Sequence, residues 1–168
     1  MNAGGTLGVE LPQFAVKDFF KSVILMAIWQ SKPTLEALNQ GIASCMPGYL
    51  GMQITEIGDD YLEGRLPVDH RTRQPFGILH GGASVVLAET LGSVGANLLV
   101  DTARFYCVGQ EINANHLRPV PDGEVTGRAS PVHLGRTSQV WEILLHAPNG
   151  KLSCISRLTI AVVARGDR

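Results

Sequence analysis

Between residues 82 and 100 the chain reads GASVVLAETLGSVGANLLV, a long apolar run whose one charge is Glu89. Leu87, Leu91, Val94 and Leu98 recur at helical spacing and form a stripe that has to pack on a surface the chain itself provides. The flanking sequence supplies that surface. Before the run, Met52 to Ile57 and Tyr61 to Val68 read as a hairpin closed by Gly58-Asp59-Asp60. After it come four strand-like runs, Phe105–Leu117, Glu124–His133, Thr137–Ala147 and Lys151–Val163, separated by RPVPDG, LGR and PNG, which carry turn chemistry. Alternation is clearest at Trp141, Ile143 and Leu145, as in a sheet with one buried face. Two strands, one long helix and four strands predict an α+β fold, a helix laid on a single antiparallel sheet.

A chain of 168 residues suits one domain with a full core. Residues 1–25 read differently from the rest. MNAGGTLGV is loose, and LPQFAVKDFFKSVILM suits a short amphipathic helix docked through Phe14, Phe19 and Phe20, so this part is expected to be an N-terminal extension. Residues 26–168 form the domain, and a helix is expected after Thr34, a capping residue next to Pro33. A net charge of −1 without a dense Lys/Arg run gives nucleic acid and anionic membranes no electrostatic footing as partners. The apolar run 23–29 falls far short of the roughly 20 residues a spanning helix needs. Cys45, Cys107 and Cys154 are odd in number and widely spaced, as expected of reduced thiols in a cytoplasmic protein. The five histidines lack metal-ligand spacing, so no metal is expected.

Glu89 needs a reason. A carboxylate on an apolar helix is costly unless it is paired, exposed or used. Its helical neighbours Val85, Gly92, Ser93 and Ala96 are mostly small, as if a second surface came close, and the Ser93 hydroxyl lies one turn away, within reach of the carboxylate. At the other end, His80-Gly81-Gly82 opens the helix. Its first N–H groups lack intrahelical partners and carry partial positive charge, which makes the Gly81 or Gly82 N–H a candidate oxyanion donor. Eight residues at ~1.5 Å rise separate Gly81 from Glu89 by ~12 Å. One small carbonyl therefore meets both only if Glu89 of one subunit faces His80-Gly81 of another, as in a two-fold dimer. Taken singly, an exposed Glu, a loop His and a tight Gly-Gly turn are the simpler readings. Their joint order and spacing with Gln74 and Ser93 favour a site. The loop from Asp69 to Leu79 that carries Gln74 is long for a compact domain, and such loops tend to be functional.

RTRQPFG followed by HGGASVVLAE resembles the hotdog-fold aryl-CoA thioesterases. TLEALN, IGDDYLEGRLPVD, EINANHLR, HLGRTSQVW and SCISRLT extend the resemblance over roughly residues 27–163. Within the family the segments are most similar to the 1,4-dihydroxy-2-naphthoyl-CoA hydrolases of menaquinone synthesis and to the proofreading thioesterases of siderophore synthesis. Family members begin near Met26, which leaves 1–25 without a counterpart. The resemblance implies a hotdog fold assembling as a homodimer or a dimer of dimers, with sites at the subunit interface. It implies Glu89 as the catalytic carboxylate, acting as nucleophile or as general base. Gln74 and His80 of the facing subunit would orient the thioester and water, the Gly81 N–H would hold the thioester oxygen, and Ser93 would support Glu89. Coenzyme A, a part of the substrate rather than a cofactor, would meet His116, Arg118, Gly135, Arg136 and Thr137. Gln110 departs from the family, which has an apolar residue there. The implied activity is hydrolysis of aromatic acyl-CoA. Release of misloaded groups from a carrier protein is the alternative enzyme reading. A non-catalytic acyl-CoA-binding module is disfavoured by the joint presence of Gln74, His80, Glu89 and Ser93.

Overall fold

The computed structural model describes residues 27–166, so the expectations for residues 1–25 and Met26 fall outside the described residues. Thr34 caps the first helix, α1 (Leu35–Ala43), its hydroxyl accepting from the Ala37 N–H at 3.1 Å. A single-turn helix, α2 (Met46–Tyr49), follows with Pro47 in its first turn, where no N–H is required. Strands β1 (Gln53–Ile57) and β2 (Leu62–Pro67) form the expected hairpin. The long helix α3 spans Gly81–Leu98. Strands β3 (Phe105–His116), β4 (Glu124–Leu134), β5 (Ser138–His146) and β6 (Leu152–Ala164) complete one antiparallel sheet in the order β1-β2-β4-β5-β6-β3.

The core lies between α3 and one face of this sheet. Leu87 and Leu91 of the helix and Trp141, Ile143 and Leu145 of β5 are fully buried, in line with the alternation read from the sequence. Trp29 stacks on Trp141 at a centroid distance of 6.3 Å and donates its indole N–H to the Gly58 carbonyl. Two features of α3 differ from expectation. Gly92 and Ala96, expected on a face kept for a second surface, are buried against the chain's own sheet. A Cβ on Gly92 would come within 2.6 Å of Leu158, and one on Gly95 within 2.7 Å of the Trp141 ring, so these glycines let the helix sit close to its own strands. Val94, expected on the core stripe, is half-buried and faces α1.

Asparagine side chains close parts of both sheet edges. Asn39 of α1 takes both backbone groups of Ile54 in edge strand β1, Oδ1 accepting from the N–H and Nδ2 donating to the carbonyl, each at 2.9 Å. Asn97 of α3 treats Cys107 of edge strand β3 the same way, at 3.0 and 3.3 Å. An unpaired strand edge is a template for another strand. On β3 that template continues beyond Cys107 to His116. The cysteines are free thiols, Cys45 exposed and Cys107 and Cys154 buried.

Candidate active site

The loop before α3 is built to hold its residues. Thr72, fully buried, donates from its hydroxyl to the Pro67 carbonyl at 2.6 Å and accepts from the Asp69 N–H at 3.0 Å. The Arg71 guanidinium grips Asp69 at 2.6 Å and holds its carboxyl well below the usual range, at about 2. A tight turn at Gly77, with φ +80°, folds Gln74 back so that its N–H reaches the Ile78 carbonyl. The loop then delivers His80 to the start of α3, its N–H donating to the Thr72 carbonyl at 2.8 Å.

His80 is the N-cap. Its Nδ1 accepts from the Gly82 N–H at 2.8 Å, which puts the ring proton of the neutral imidazole on Nε2. This narrows the expected oxyanion donor. The Gly82 N–H is engaged within the chain, and among the described residues the Gly81 N–H has no such partner. The His116 ring lies over Gly81, where a Cβ would come within 2.7 Å of Nε2. Gln74, Gly81, His116 and Arg118 line one cleft of ≈290 Å³. Arg118 is tied there by an Nη1 donation to the Leu152 carbonyl at 2.6 Å.

Glu89 sits two turns along the helix, outside that cleft. It is half-buried, and among the described residues no Lys, Arg or His forms an ion pair with it. Burial pushes its carboxyl above the ordinary value of 4.5, while a hydrogen bond from the Ser93 hydroxyl at 3.3 Å pulls the other way. Its space comes from Gly109 of β3, because any Cβ there would collide with the Glu89 carboxylate. Sequence reading missed Gly109, although a glycine inside a strand does mark bulges and close approaches. Here it does both, since the β3 register shifts between Gly109 and Glu111. Gln110, the extra residue, is exposed.

The remaining coenzyme A candidates lie elsewhere. Gly135 and Arg136 border a second hollow with Arg104 and Phe105, at the opposite end of β3 from His116. Thr137 offers its carbonyl to the Val162 N–H. Within one chain the expected residues thus form three groups: the cleft, the Glu89–Ser93 pair and the Arg136 hollow.

A Thioesterase superfamily model matches residues 76–154, the stretch that holds α3, Glu89 and His116. A putative esterase of Pseudomonas aeruginosa is 52% identical over 85% of this chain and 99% of its own length. The crystal structure of a P. aeruginosa thioesterase variant superimposes with a TM-score of 0.81 at 51% identity, over 82% of this chain and 99% of that one. The chain belongs to the thioesterase superfamily. Its helix on a six-stranded antiparallel sheet is the hotdog-type fold, and it is a thioester hydrolase rather than a non-catalytic binding module. The 1,4-dihydroxy-2-naphthoyl-CoA hydrolase of Escherichia coli is 52% identical over 81% of this chain and 99% of its own length. A proofreading thioesterase of Cronobacter turicensis is 49% identical over 81% of this chain and 98% of its own. Among the described residues, no helix is long and apolar enough to cross a membrane.

Proposed function

We propose that the protein hydrolyses aromatic acyl-CoA thioesters to the free acid and coenzyme A, with Glu89 driving attack on the thioester carbonyl. The observation that carries this is the state of Glu89: partly desolvated, raised in pKa, paired with no cation among the described residues, and housed in a space that Gly109 leaves open. Such a carboxylate is a better proton acceptor and nucleophile than one in water. As base, it takes a proton from water while the hydroxide adds to the carbonyl carbon. As nucleophile, its own oxygen adds and water later cleaves the resulting anhydride. Either way negative charge grows on the carbonyl oxygen, for which a free helix N-terminal N–H is a fitting donor. The coenzyme A thiolate then leaves. Thiolates leave readily, so the reaction needs no metal.

The site is shared between two copies in this reading. Helix α3 runs antiparallel to β3, with Gly81 beside His116, Glu89 beside Gly109 and Asn97 bonded to Cys107. A two-fold axis midway between Gly81 and Glu89, near Val85 and Ile112, would set each Glu89 opposite the other copy's Gly81. The same operation sets His116 and Arg118 against the other copy's Arg136 hollow, which reunites the coenzyme A candidates. The relative from E. coli, named for a naphthoyl-CoA, supports an aromatic acyl group. The Cronobacter relative, named a proofreading thioesterase, favours a carrier-bound donor as the second reading.

The test is thiol release from benzoyl-CoA, a naphthoyl-CoA and an aryl-loaded carrier protein. Glu89→Gln is expected to lower turnover far more than tenfold (about 1.4 kcal/mol of barrier), and a smaller loss removes Glu89 from the chemistry. Mixing Glu89→Gln with His80→Ala subunits should restore part of the activity, because one of the two shared sites is then intact. Exchange of subunits without any recovery would refute sharing. Cleavage of the carrier alone would transfer the assignment to the second reading.

A further inference from the structure

The backbone of β3 forms one wall beside Glu89, because a Cβ at Gly109 would collide with the Glu89 carboxylate. That wall stands where the strand is least supported. β3 is an edge strand, paired on one side with β6, and that pairing shifts register between Gly109 and Glu111. A bulge leaves its extra residue unpaired and bends the strand that carries it. Among the described residues, the hydrogen bonds that join α3 to β3 all pass through Cys107, two residues before Gly109. One runs from the Cys107 thiol, a weak donor, to the Ala96 carbonyl. The other two belong to the Asn97 side chain, whose Oδ1 accepts from the Cys107 N–H at 3.0 Å and whose Nδ2 donates to the Cys107 carbonyl at 3.3 Å.

Nδ2 also donates to the Ser93 carbonyl at 2.9 Å, and the Ser93 hydroxyl bonds Glu89. One amide therefore ties the strand beside Glu89 to the residue that steadies its carboxylate. Resting on the role proposed for Glu89, we infer that Asn97 is a positioning residue for the reaction: it holds β3 against α3 and so fixes the Glu89 carboxylate in its attacking position. The chemistry of the side chain suits the task. A strand edge offers an N–H and a C=O, and a planar amide answers both at once, whereas a carboxylate only accepts. Without the amide, the thiol's weak bond and packing are left to hold Gly109 in place. A shift of about 1 Å at a reacting group can cost about two orders of magnitude in rate. The molecule also contains a control. At the opposite edge of the sheet, Asn39 clamps Ile54 of β1 with the same pair of hydrogen bonds, both at 2.9 Å.

The experiment measures melting temperature, kcat and KM for the full chain, with whichever of the thioesters named above is turned over fastest. Wild type, Asn97→Ala, Asn97→Asp, Asn39→Ala, Glu89→Gln and the double variant Asn97→Ala with Glu89→Gln are compared. Aspartate has the shape of asparagine and leaves no cavity, so it serves where alanine impairs folding. Loss of either clamp should lower the melting temperature by a similar amount. Both Asn97 variants should lower kcat by about tenfold, with KM within about twofold of wild type. Asn39→Ala should keep the wild-type kcat. In the Glu89→Gln background, removing Asn97 should cost no more than about twofold further, because its effect runs through the missing carboxylate. Equal kcat losses at Asn97 and Asn39, a loss confined to KM, or a full tenfold added cost in the double variant overturns the inference. Wild-type turnover in Glu89→Gln instead sinks the role of Glu89. A crippled Glu89→Gln beside unaffected Asn97 variants sinks that of Asn97 alone.

Discussion

Glu89 carries a carboxyl whose charged form the fold disfavours. Its carboxyl is raised by partial burial and restrained by Ser93, so the ionised form is disfavoured in the fold relative to water. In the proposed reaction the active form is that ionised form. Hence kcat/KM should rise with pH through an ionisation above 4.5, the ordinary value for this side chain. Replacing Ser93 with alanine removes the one interaction opposing the shift and should move that limb further up in pH. The linkage to stability has the opposite sense. A group whose folded pKa is raised stabilises the fold fully below its unfolded pKa, and that contribution is lost as pH rises through the folded value. Glu89→Gln should therefore melt at or above the wild-type temperature at pH 7, with the difference vanishing near pH 4. Calorimetry at both pH values checks this, and a variant that melts lower at pH 7 would mean the carboxylate is stabilised by something other than Ser93.

The loop from Val68 to His80 is an element without regular structure that nevertheless aims Gln74 and His80 of the candidate site, and Thr72 is its anchor. Thr72→Val keeps the shape but leaves the Asp69 N–H and the Pro67 carbonyl without their buried partner, a loss of about 1–3 kcal/mol. The melting temperature should fall accordingly. Turnover should fall as well, because the Thr72 carbonyl also receives the His80 N–H. An unchanged melting temperature would show that water replaces the hydroxyl. At this scale the sequence was legible wherever period and turn chemistry agree: α3 and all six strands lie within a few residues of their expected bounds. It was less legible where a contact depends on a third element. Val94 satisfies the core-stripe spacing and packs at the edge of the core, but it stays only half-buried, on the side toward α1. Gly92 and Ala96 have the small size that a partner helix would need, but Trp141 and Leu158 of the chain's own sheet claim that space. The pairing of Glu89 with Gly109, twenty residues apart, has no local signature, and neither do the asparagine clamps on Ile54 and Cys107.

Those clamps matter most for the whole molecule. Along β6 the Val162 N–H points to Thr137, on the β5 side, so the backbone groups of its β3 partner Cys107 point away from the sheet, where Asn97 meets them. Beyond the bulge at Gly109–Glu111 the same alternation turns Ile112, Ala114 and His116 outward. With β1 clamped at Ile54 by Asn39 and β3 clamped at Cys107, the longest edge left open among the described residues is Gly109–His116. A second copy pairing there antiparallel would be centred near Ile112, the centre that the helix argument requires for Glu89 to face Gly81. The proposed axis thus satisfies both the strand edge and the helix. Proline is tolerated on an edge strand where its missing N–H faces outward. Ala114→Pro should accordingly retain the sheet by circular dichroism, yet shift the protein to monomer in sedimentation and abolish turnover, because every site would lack half its residues. A dimer that persists in this variant with activity intact would place the subunit contact on another surface and remove Gly81 of the second copy from the reaction.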